Sequence, residues 1–453
     1  MVLTSENVVA DQDGILAHWR PRKGDQEGVA YQPILFEVER NFPLSPAELW
    51  DLLANTDQLN QEIGMPHVAY GPVTVTGDGM YRQATTRFWG WLAARWREYP
   101  FEWVRGVRYA VLRAFEAGFL DTFYGGTDLR PHPEGTSVRV FAEVTPRTLV
   151  GVGVSRLMGW KGIRATLAYC EEFVALRRSG SDLQFPLPGR VSPMNRAQLN
   201  RLLAGLREAG IPEPLVTRFG RHLAMAPDRE VLRMQPFALA DGWGAERADV
   251  LRLFVTAARV GGLFYTWEIM CPNCRVPHAG AATIAGLAGR FHCDVCAVDY
   301  DADLARNVEL RYSVHPSLRP ATEEIYCIGG PANFPHVWVQ QYLLPGTERP
   351  VVVTLKHEAF RVRALRTNMT CPLDPVRGGP AEVAFTYRDD GWYQIRQTFS
   401  PGPVTVRFRN ETSRVVVAII EQVQWDPRAI TAAQVMALPE FQELAQTVAH
   451  PRG

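Results

Sequence analysis

The sequence predicts an α+β protein that is built from several domains. Three features lead to this prediction: strand-like segments before a long amphipathic helix in the first 180 residues, two close cysteine pairs near the middle, and regularly spaced strand-like segments towards the end. The 453 residues suffice for roughly three or four domains, each with its own core. Hydrophobic residues make up 46% and charged residues 21%, as in globular proteins. Lys+Arg and Asp+Glu both number 48, so a nucleic acid or an anionic membrane would need a local charged patch to bind.

The first domain is predicted to comprise residues 31–180, after an N-terminal extension of residues 1–30. A strand-like segment leads directly into a helix with a clear start signal. In that signal Ser45 is the N-cap, Pro46 is the first helical residue, and Glu48 completes a capping box. The sequence therefore predicts a strand and a short helix at the start of this domain.

A sheet and a long helix are expected in the rest of this domain. Segments rich in Val, Tyr, Phe and Trp continue to Val144, and a helix is expected from about residue 155 to residue 178. Its apolar positions recur at helical spacing and are Ile163, Leu167, Cys170 and Val174. The order of these elements predicts a helix-grip arrangement, in which the long helix packs into a bent sheet and can enclose a cavity.

The opening segment, FEVERNFPLSPAELWDLLANTDQLN, resembles the START-like (SRPBCC) lipid-transfer and polyketide-cyclase superfamily. The resemblance covers about residues 30–178 and implies a cavity for a hydrophobic small molecule or lipid. The aromatic candidates for the lining of that cavity are Trp103, Tyr109, Phe115 and Phe119. Such side chains can receive an apolar ligand or fill the space themselves, and the sequence leaves both alternatives open.

A Ser/Pro/Gly-rich linker, residues 181–194, is predicted to precede a helical connector, residues 195–266. The connector ends with PFALADGWGAERADVLRLFVTAARVGGLFYTWEIM, whose order of helix, glycine-containing turn, helix and strand is typical of a winged helix-turn-helix. Its second helix has three arginines that could contact phosphates and two acidic residues that oppose such contact: Arg247, Arg252, Arg259, Glu246 and Asp249. A packing or protein-contact role is favoured, and a DNA-binding transcription regulator is kept as an alternative.

Two Cys-x-x-Cys pairs carry the strongest chemical signal in the chain. Cys271 and Cys274 form the first pair, and Cys293 and Cys296 form the second. The Gly- and Ala-rich residues between the pairs can fold back, so four thiolates can close one tetrahedral Zn²⁺ site within a zinc ribbon of residues 267–312. An all-cysteine shell has no open coordination position, so this zinc would be structural. The alternatives are four unrelated buried cysteines, or a ligand role for the nearby His278 or His292.

Residues 313–425 are predicted to form a β-sandwich, because short strand-like segments recur at regular intervals. The predicted strands are His336–Leu344, Val351–Leu355, Phe360–Leu365, Ala381–Tyr387, Trp392–Phe399, Val404–Phe408 and Val415–Val423. Residues 426–453 are expected to form a C-terminal helix and tail, with Thr431 as the N-cap and Gln434 three residues later.

The sequence contains no linear signature of an enzyme. It has no phosphate-binding Gly-x-x-x-x-Gly-Lys-Ser/Thr loop, no His-Glu-x-x-His motif and no Gly-x-Ser-x-Gly elbow. The START-like fold builds active sites without such motifs, so an enzyme or carrier acting in the cavity stays an alternative. No apolar run approaches the roughly 20 residues that span a bilayer, and the N-terminus lacks signal-peptide features. We therefore expect a cytoplasmic protein without a transmembrane segment.

From about Asn195 onward, the chain resembles an uncharacterised region that lies upstream of class III adenylate/guanylate cyclase catalytic domains in some bacteria. The segments that carry this resemblance are PFALADGWGAERADVLRLF, CPNC, FHCDVCAVDYDAD, CIGGPANFPHVWVQQ and ALPEFQEL. It implies a non-catalytic sensory or regulatory module of cyclic-nucleotide signalling, with a nucleotidyl cyclase domain as its partner. Only nine residues follow Leu444, whereas a domain needs at least about 50. We therefore expect no cyclase domain here, whether the chain is part of a cyclase or a stand-alone relative.

Overall fold

The computed structural model describes residues 31–76, 79–88, 90, 92–179, 190–281, 289–437 and 441. They form two compact units. The first unit combines Met1–Leu183 with Ile325–Gln424, and the second combines Gln184–Glu324 with Trp425–Gly453. The predicted N-terminal extension and most of the predicted linker and tail lie outside the described residues.

The N-terminal part of the first unit is an antiparallel sheet against which one long helix packs. Its elements are β1 (Ile34–Phe42), α1 (Pro46–Leu53), α2 (Thr56–Glu62), β2 (Ala69–Thr76), β3 (Gly79–Phe88), β4 (Leu92–Glu98), β5 (Glu102–Val104), β6 (Arg108–Ala117), β7 (Leu120–His132), β8 (Gly135–Pro146) and α3 (Leu149–Arg178). The strands follow the order β1, β8, β7 and β6, and β6 then pairs with β5 and, further along, with β4. Because α3 packs on β1 and β8, this part has the predicted helix-grip arrangement.

Local signals explain how these elements begin and pack. Ser45 caps α1, where the Glu48 amide donates to Ser45 Oγ and the Ser45 amide donates to the Glu48 carboxylate. The predicted capping box is therefore confirmed. In α3, Gly159 lies against β1. A Cβ at this position would be 2.7 Å from the ring of Phe36, so a larger residue would clash there. This glycine lets the long helix lie directly against the sheet.

The second unit has helices around a small sheet. Its elements in the first stretch of chain are α4 (Arg196–Glu208), α5 (Glu213–Met225), α6 (Pro236–Trp243), α7 (Arg247–Arg259), β9 (Leu263–Met270), β10 (Pro277–Ala281), β11 (Arg290–Cys293), β12 (Val298–Asp301) and β13 (Val308–Val314). The three-stranded sheet has the order β10, β9, β13, and β11 pairs with β12. Gly244 ends α6 in the left-handed conformation, so the predicted order of helix, turn, helix and strand is present.

The C-terminal part of the first unit consists of two facing sheets. Its strands are β14 (Val337–Leu343), β15 (Glu348–Leu355), β16 (Phe360–Ala364), β17 (Thr370–Pro375), β18 (Glu382–Arg388), β19 (Gly391–Trp392), β20 (Gln397–Phe399), β21 (Gly402–Asn410) and β22 (Val416–Gln422). One sheet has the order β15, β21, β18, β19, and its side chains share a core with those of β14, β22 and β16. The predicted single strand Trp392–Phe399 is wrong, because β19 and β20 are separate strands of different sheets. A final helix, α8 (Ala432–Met436), belongs to the second unit and begins with the predicted capping box at Thr431.

One continuous sheet joins the two parts of the first unit. The short strand β5 pairs with β6 on one side and with β14 on the other, so thirteen strands form a single sheet. Side chains reinforce this junction, since Gln340 Nε2 donates to the Phe101 carbonyl oxygen at 2.6 Å and Tyr342 Oη donates to the Pro100 carbonyl oxygen at 2.8 Å. The helix-grip part and the sandwich part therefore share backbone hydrogen bonds as well as a core.

A buried ion-pair cluster lies among the C-terminal strands of the first unit. The Glu421 carboxylate is 2.8 Å from Arg363 Nη2 and 2.6 Å from Arg361 Nη2. Burial alone would raise the pKa of Glu421, but the two guanidinium groups, Arg363 first, outweigh it and lower the pKa to about 2. The carboxylate therefore stays charged in the folded protein at neutral pH.

Candidate functional site

A cavity of about 280 Å³ lies between the sheet and α3 in the helix-grip part of the first unit. Strands β3, β4, β6, β7 and β8, the helix α2 and one face of α3 supply its walls. The lining is predominantly apolar and includes Leu59, Trp96, Val111, Val140, Met158 and Ile163. Apolar walls of this kind favour an apolar occupant, because such a molecule leaves water when it enters.

Three of the four aromatic residues proposed from the sequence line this cavity. Tyr109, Phe115 and Phe119 lie on its surface, and they leave space unfilled. Trp103 is not among the lining residues. It lies on β5 where this strand meets β14, and its ring stacks on Phe334 at a centroid distance of 6.2 Å. Trp103 therefore packs at the sheet junction, and a direct ligand contact is not available to it.

Most polar groups in the cavity wall already have protein partners. Thr127 Oγ1 donates to Tyr109 Oη at 3.3 Å, and Thr166 Oγ1 donates to the Gly162 carbonyl oxygen at 3.0 Å. Ser155 differs, because its buried Oγ has no hydrogen-bond partner among the described residues. A buried hydroxyl without a partner is costly, so Ser155 is the position where a ligand could gain a hydrogen bond.

The only guanidinium group in the described cavity wall is neutralised by a neighbour. Arg113 Nε donates to the Glu98 carboxylate at 2.9 Å. Its guanidinium group also lies over the rings of Trp96 and Phe123, with centroid distances of 5.6 and 5.5 Å. Burial alone would lower the pKa of Arg113, but the Glu98 carboxylate outweighs it and raises the pKa, so the guanidinium group stays charged. The wall thus offers no unpaired charge to an ionised ligand.

Four cysteine side chains meet at one point in the second unit. Cys271, Cys274, Cys293 and Cys296 are all buried, and their Sγ atoms lie within 4.8 Å of one another. None of them forms a disulfide, and the Sγ atoms of Cys274 and Cys293 are 3.7 Å apart. Four thiols at this separation have the donor type and the number of ligands of a closed tetrahedral zinc site.

The backbone of each cysteine pair is folded as a tight knuckle. The Asn273 amide donates to Cys271 Sγ at 3.4 Å, and the Cys296 amide donates to Cys293 Sγ at 3.3 Å. The residue after each pair, Arg275 or Ala297, is in the left-handed region, with φ of 55° and 52°. The two pairs therefore share a left-handed residue at their end, and in each pair an amide hydrogen bond to the first cysteine favours the charged form of its sulfur.

The four thiols shift one another's pKa values, since the pKa of Cys271 is lowered and that of Cys274 is raised. Hydrogen bonding with the neighbouring thiols, Cys271 first, raises the pKa of Cys274 well above its ordinary value, and burial adds to this. His292, an alternative ligand in the sequence analysis, is half exposed, and its Nδ1 lies 2.9 Å from Asp299 Oδ1. The side chain of His278 lies outside the described residues. The four cysteines alone therefore form the ligand cluster in the described part of the chain.

One arginine of the helix-turn-helix segment is already engaged within the second unit. Arg247 Nη2 forms an ion pair with Asp241 Oδ2 at 2.7 Å, and Arg247 Nη1 donates to the Pro427 carbonyl oxygen at 3.1 Å. One of the three arginines considered for phosphate contact is thus occupied by the second unit itself.

The helices in the described ranges are all too short or too polar to cross a membrane.

In the comparison with known proteins, one family model matches a part of the chain. A model described as a family of unknown function (DUF5939) matches residues 196–324, which include α4 to α7 and the four cysteines. No curated protein matches the sequence.

Several solved structures are similar to about a third of the chain. Ara h 8.0201 shares 16% identity over 31% of this chain and 99% of its own, with a TM-score of 0.25. The di-domain ARO/CYC StfQ from the steffimycin biosynthetic pathway shares 16% identity over 33% of this chain and 52% of its own, with a TM-score of 0.26. A Thalictrum flavumn norcoclaurine synthase point mutant in complex with a transition state analogue shares 13% identity over 33% of this chain and 99% of its own, with a TM-score of 0.24. These TM-scores are too low to support a fold assignment. The helix-grip assignment therefore rests on the strand order and on the packing of α3 against β1 and β8.

Proposed function

We propose that the chain is a non-catalytic sensory or regulatory module whose helix-grip cavity binds a hydrophobic small molecule or lipid. The observation that carries the proposal is the apolar cavity of about 280 Å³ between the sheet and α3. A cavity of this size loses van der Waals contacts along its walls, and an apolar occupant restores them. Binding would therefore stabilise the first unit.

The walls define the chemistry of the proposed ligand. The cavity is about twice the size of an engineered apolar cavity of about 150 Å³ that binds benzene. It would accept a molecule larger than one aromatic ring. Because Arg113 and Glu98 neutralise each other, the ligand would be uncharged, and one hydroxyl or carbonyl group on it would hydrogen-bond with Ser155 Oγ.

We also propose that the four cysteines hold one structural Zn²⁺. Cys271, Cys274, Cys293 and Cys296 would fill its coordination sphere, so the ion would supply folding energy to the second unit and no site for a reaction. The proposal rests on the donor set, on the closeness of the four Sγ atoms and on the amide hydrogen bond to the first sulfur of each pair.

The signalling context of the proposal comes from the resemblance of residues from about 195 onward to the region upstream of bacterial nucleotidyl cyclase domains. We propose that ligand occupancy in the cavity is passed by contact to such a domain, in the cytoplasm. The continuous sheet supports this idea within the first unit, because β6, which lines the cavity, is hydrogen-bonded to β5, and β5 is hydrogen-bonded to β14 of the sandwich part. Stimulation of a purified cyclase domain by the chain, with and without ligand, is the assay for this step.

A cavity-filling substitution tests ligand binding directly. Gly162 lines the cavity, and a Cβ at this position meets no atom within 4 Å, so Gly162→Phe can place a ring in the empty space. Gly153 lies on the same helix, is exposed and is equally open, so Gly153→Phe is the matched control. We expect the neutral probe N-phenyl-1-naphthylamine to bind the unchanged protein and Gly153→Phe, and to lose most of its affinity for Gly162→Phe. Equal binding to both variants would contradict a ligand site in this cavity.

A further inference from the structure

We propose that the outer face of α3 docks onto a bilayer that contains anionic lipid. The term "outer face" denotes four exposed apolar residues and three exposed basic residues within residues 149–164 of the helix: Leu149, Val150, Leu157, Trp160, Arg156, Lys161 and Arg164. The inference is independent of the ligand proposed for the cavity.

The apolar part of the outer face is unusually exposed. Leu149 is 76%, Leu157 68%, Val150 61% and Trp160 40% exposed. These side chains recur along one side of α3, whereas Gly151, Ser155 and Thr166 are buried on the opposite side. A surface helix ordinarily turns polar residues to solvent, so a helix with large apolar side chains on its exposed side points to a contact that covers them.

The charge on this face selects the kind of contact. Arg156, Lys161 and Arg164 are exposed, and the helix carries no Asp or Glu between Leu149 and Cys170. Among the described residues, none of these three cations forms an ion pair with a carboxylate. A helix that combines Leu and Trp with Lys and Arg is suited to the boundary between acyl chains and anionic headgroups, where the apolar groups insert and the cations meet phosphates. Three cations close together, without an acidic residue among them, match the continuous negative charge of anionic headgroups, so a bilayer fits this face better than a protein partner with a few carboxylates.

The outer face lies on the same stretch of α3 as part of the cavity wall. Val154, Met158 and Gly162 lie on the same stretch of α3 and line the cavity. Docking through the outer face would therefore hold the cavity wall beside a bilayer, in which an apolar ligand is concentrated. This last step rests on the proposed function, whereas the docking itself does not.

Vesicle sedimentation with the full chain tests the proposal. We expect the protein to bind vesicles of phosphatidylcholine with a quarter of phosphatidylglycerol, to bind pure phosphatidylcholine vesicles much more weakly, and to dissociate as salt is raised. Arg156→Glu/Lys161→Glu/Arg164→Glu should weaken partition at least about tenfold. Leu157→Glu should weaken it as well, and both variants should keep the melting temperature of the parent, because the altered side chains are exposed.

Ile395→Glu is the matched control, because Ile395 is 90% exposed in the sandwich part and does not belong to α3. It should bind vesicles like the parent. The absence of binding to the anionic vesicles, or equal loss with Ile395→Glu, would overturn the proposal. Self-association that Leu157→Glu abolishes, without vesicle binding, would assign the face to a protein contact and would also overturn it. Gly162→Phe should lose the probe and keep vesicle binding, so the docking and ligand proposals can fail separately.

Discussion

The indole Nε1 of Trp103 donates a hydrogen bond to the carbonyl oxygen of Val337 at a distance of 3.2 Å. Trp103 lies on β5 of the helix-grip part, and Val337 begins β14 of the sandwich part. This bond lies beside the strand pair that makes the two parts one sheet. A side chain that seemed from the sequence to belong to the cavity thus serves the junction instead.

Trp103→Phe should reduce stability without affecting the cavity. The substitution removes the bond to Val337 and leaves space where a 1% exposed indole packs, so we expect a loss of about 2 kcal/mol in the free energy of unfolding. Affinity for N-phenyl-1-naphthylamine should stay within about twofold, which is well below 1 kcal/mol, because Trp103 does not line the cavity. Urea unfolding and probe titration on the same preparation check both values. A large loss of probe affinity with unchanged stability would place Trp103 in the ligand site.

Ser155→Ala should stabilise the ligand-free protein. The substitution removes a buried hydroxyl without a described partner and puts a better helix former into α3, so we expect a gain of about 1 kcal/mol. Ser137→Ala is the control, since Ser137 is also buried but its Oγ donates to Glu39 at 2.5 Å, and its loss should destabilise. Thermal unfolding of both variants measures whether each substitution raises or lowers the stability of the protein. A ligand that uses Ser155 should bind more weakly to Ser155→Ala, and destabilisation of the ligand-free variant would count against an unpartnered hydroxyl.

Glu421 should make the first unit sensitive to acid. Its pKa falls from 4.5 to about 2 on folding, so the charged form stabilises the folded state above about pH 4.5, and this stabilisation is lost as the pH falls towards 2. A shift of that size corresponds to about 3 kcal/mol. Hydrogen exchange of the peptide that covers β22, measured between pH 5 and pH 3, should show the loss of protection.

Substitution of the same residue separates this effect from general acid unfolding. Glu421→Gln leaves the buried Arg363 without its counter-charge and should cost about 3 kcal/mol or more at neutral pH. Glu382→Gln breaks the exposed pair with Arg407 and should cost less than about 1 kcal/mol. If Glu421→Gln unfolds with the same pH dependence as the parent, the carboxylate of Glu421 is not the titrating group.

The second unit should contain about one zinc ion per chain when it is purified without chelator. Cys293→Ser should lose the metal and destabilise the unit, because binding energy at such a site is folding energy. His292→Gln should keep about one zinc, since that imidazole faces Asp299. Elemental analysis of the parent and the two variants measures the zinc content of each. A parent protein without zinc would contradict the metal site and would mean that the cluster consists of four reduced thiols.

Short-range signals in the sequence predicted the structure best. The capping boxes at Ser45 and Thr431 each depend on four adjacent residues, and both are present. The long helix was expected from about residue 155, whereas α3 begins at Leu149. The difference lies in Gly151 and Gly153, since glycine and the valines around them are poor helix formers, and packing against the sheet decides their conformation.

Features that depend on distant residues could not be read from the sequence. β17 contains Pro372 and Pro375, so it gave no strand signal, although β16 and β20 pair with it. β5 has only three residues, and its partner β14 lies far along the chain. The spacing of the cysteines, in contrast, predicted their cluster because four thiols have few other reasons to be paired in this way. No local sequence pattern predicts the free volume of the cavity or the missing hydrogen-bond partner of Ser155 Oγ among the described residues. Both depend on how several strands and helices that are distant in sequence pack together.

The pairing of Val104 with Val339 also constrains how the protein is made. Residues 105–338, which include the longer of the two stretches of the second unit, are synthesised between these two residues, so the edge of β5 has no partner while the ribosome translates them. At about 5–20 residues per second the delay lasts tens of seconds at most, during which an unpaired strand edge is open to other chains. A slow codon or a ribosome pause before β14 would therefore raise aggregation of nascent protein, while the finished fold would show no trace of it.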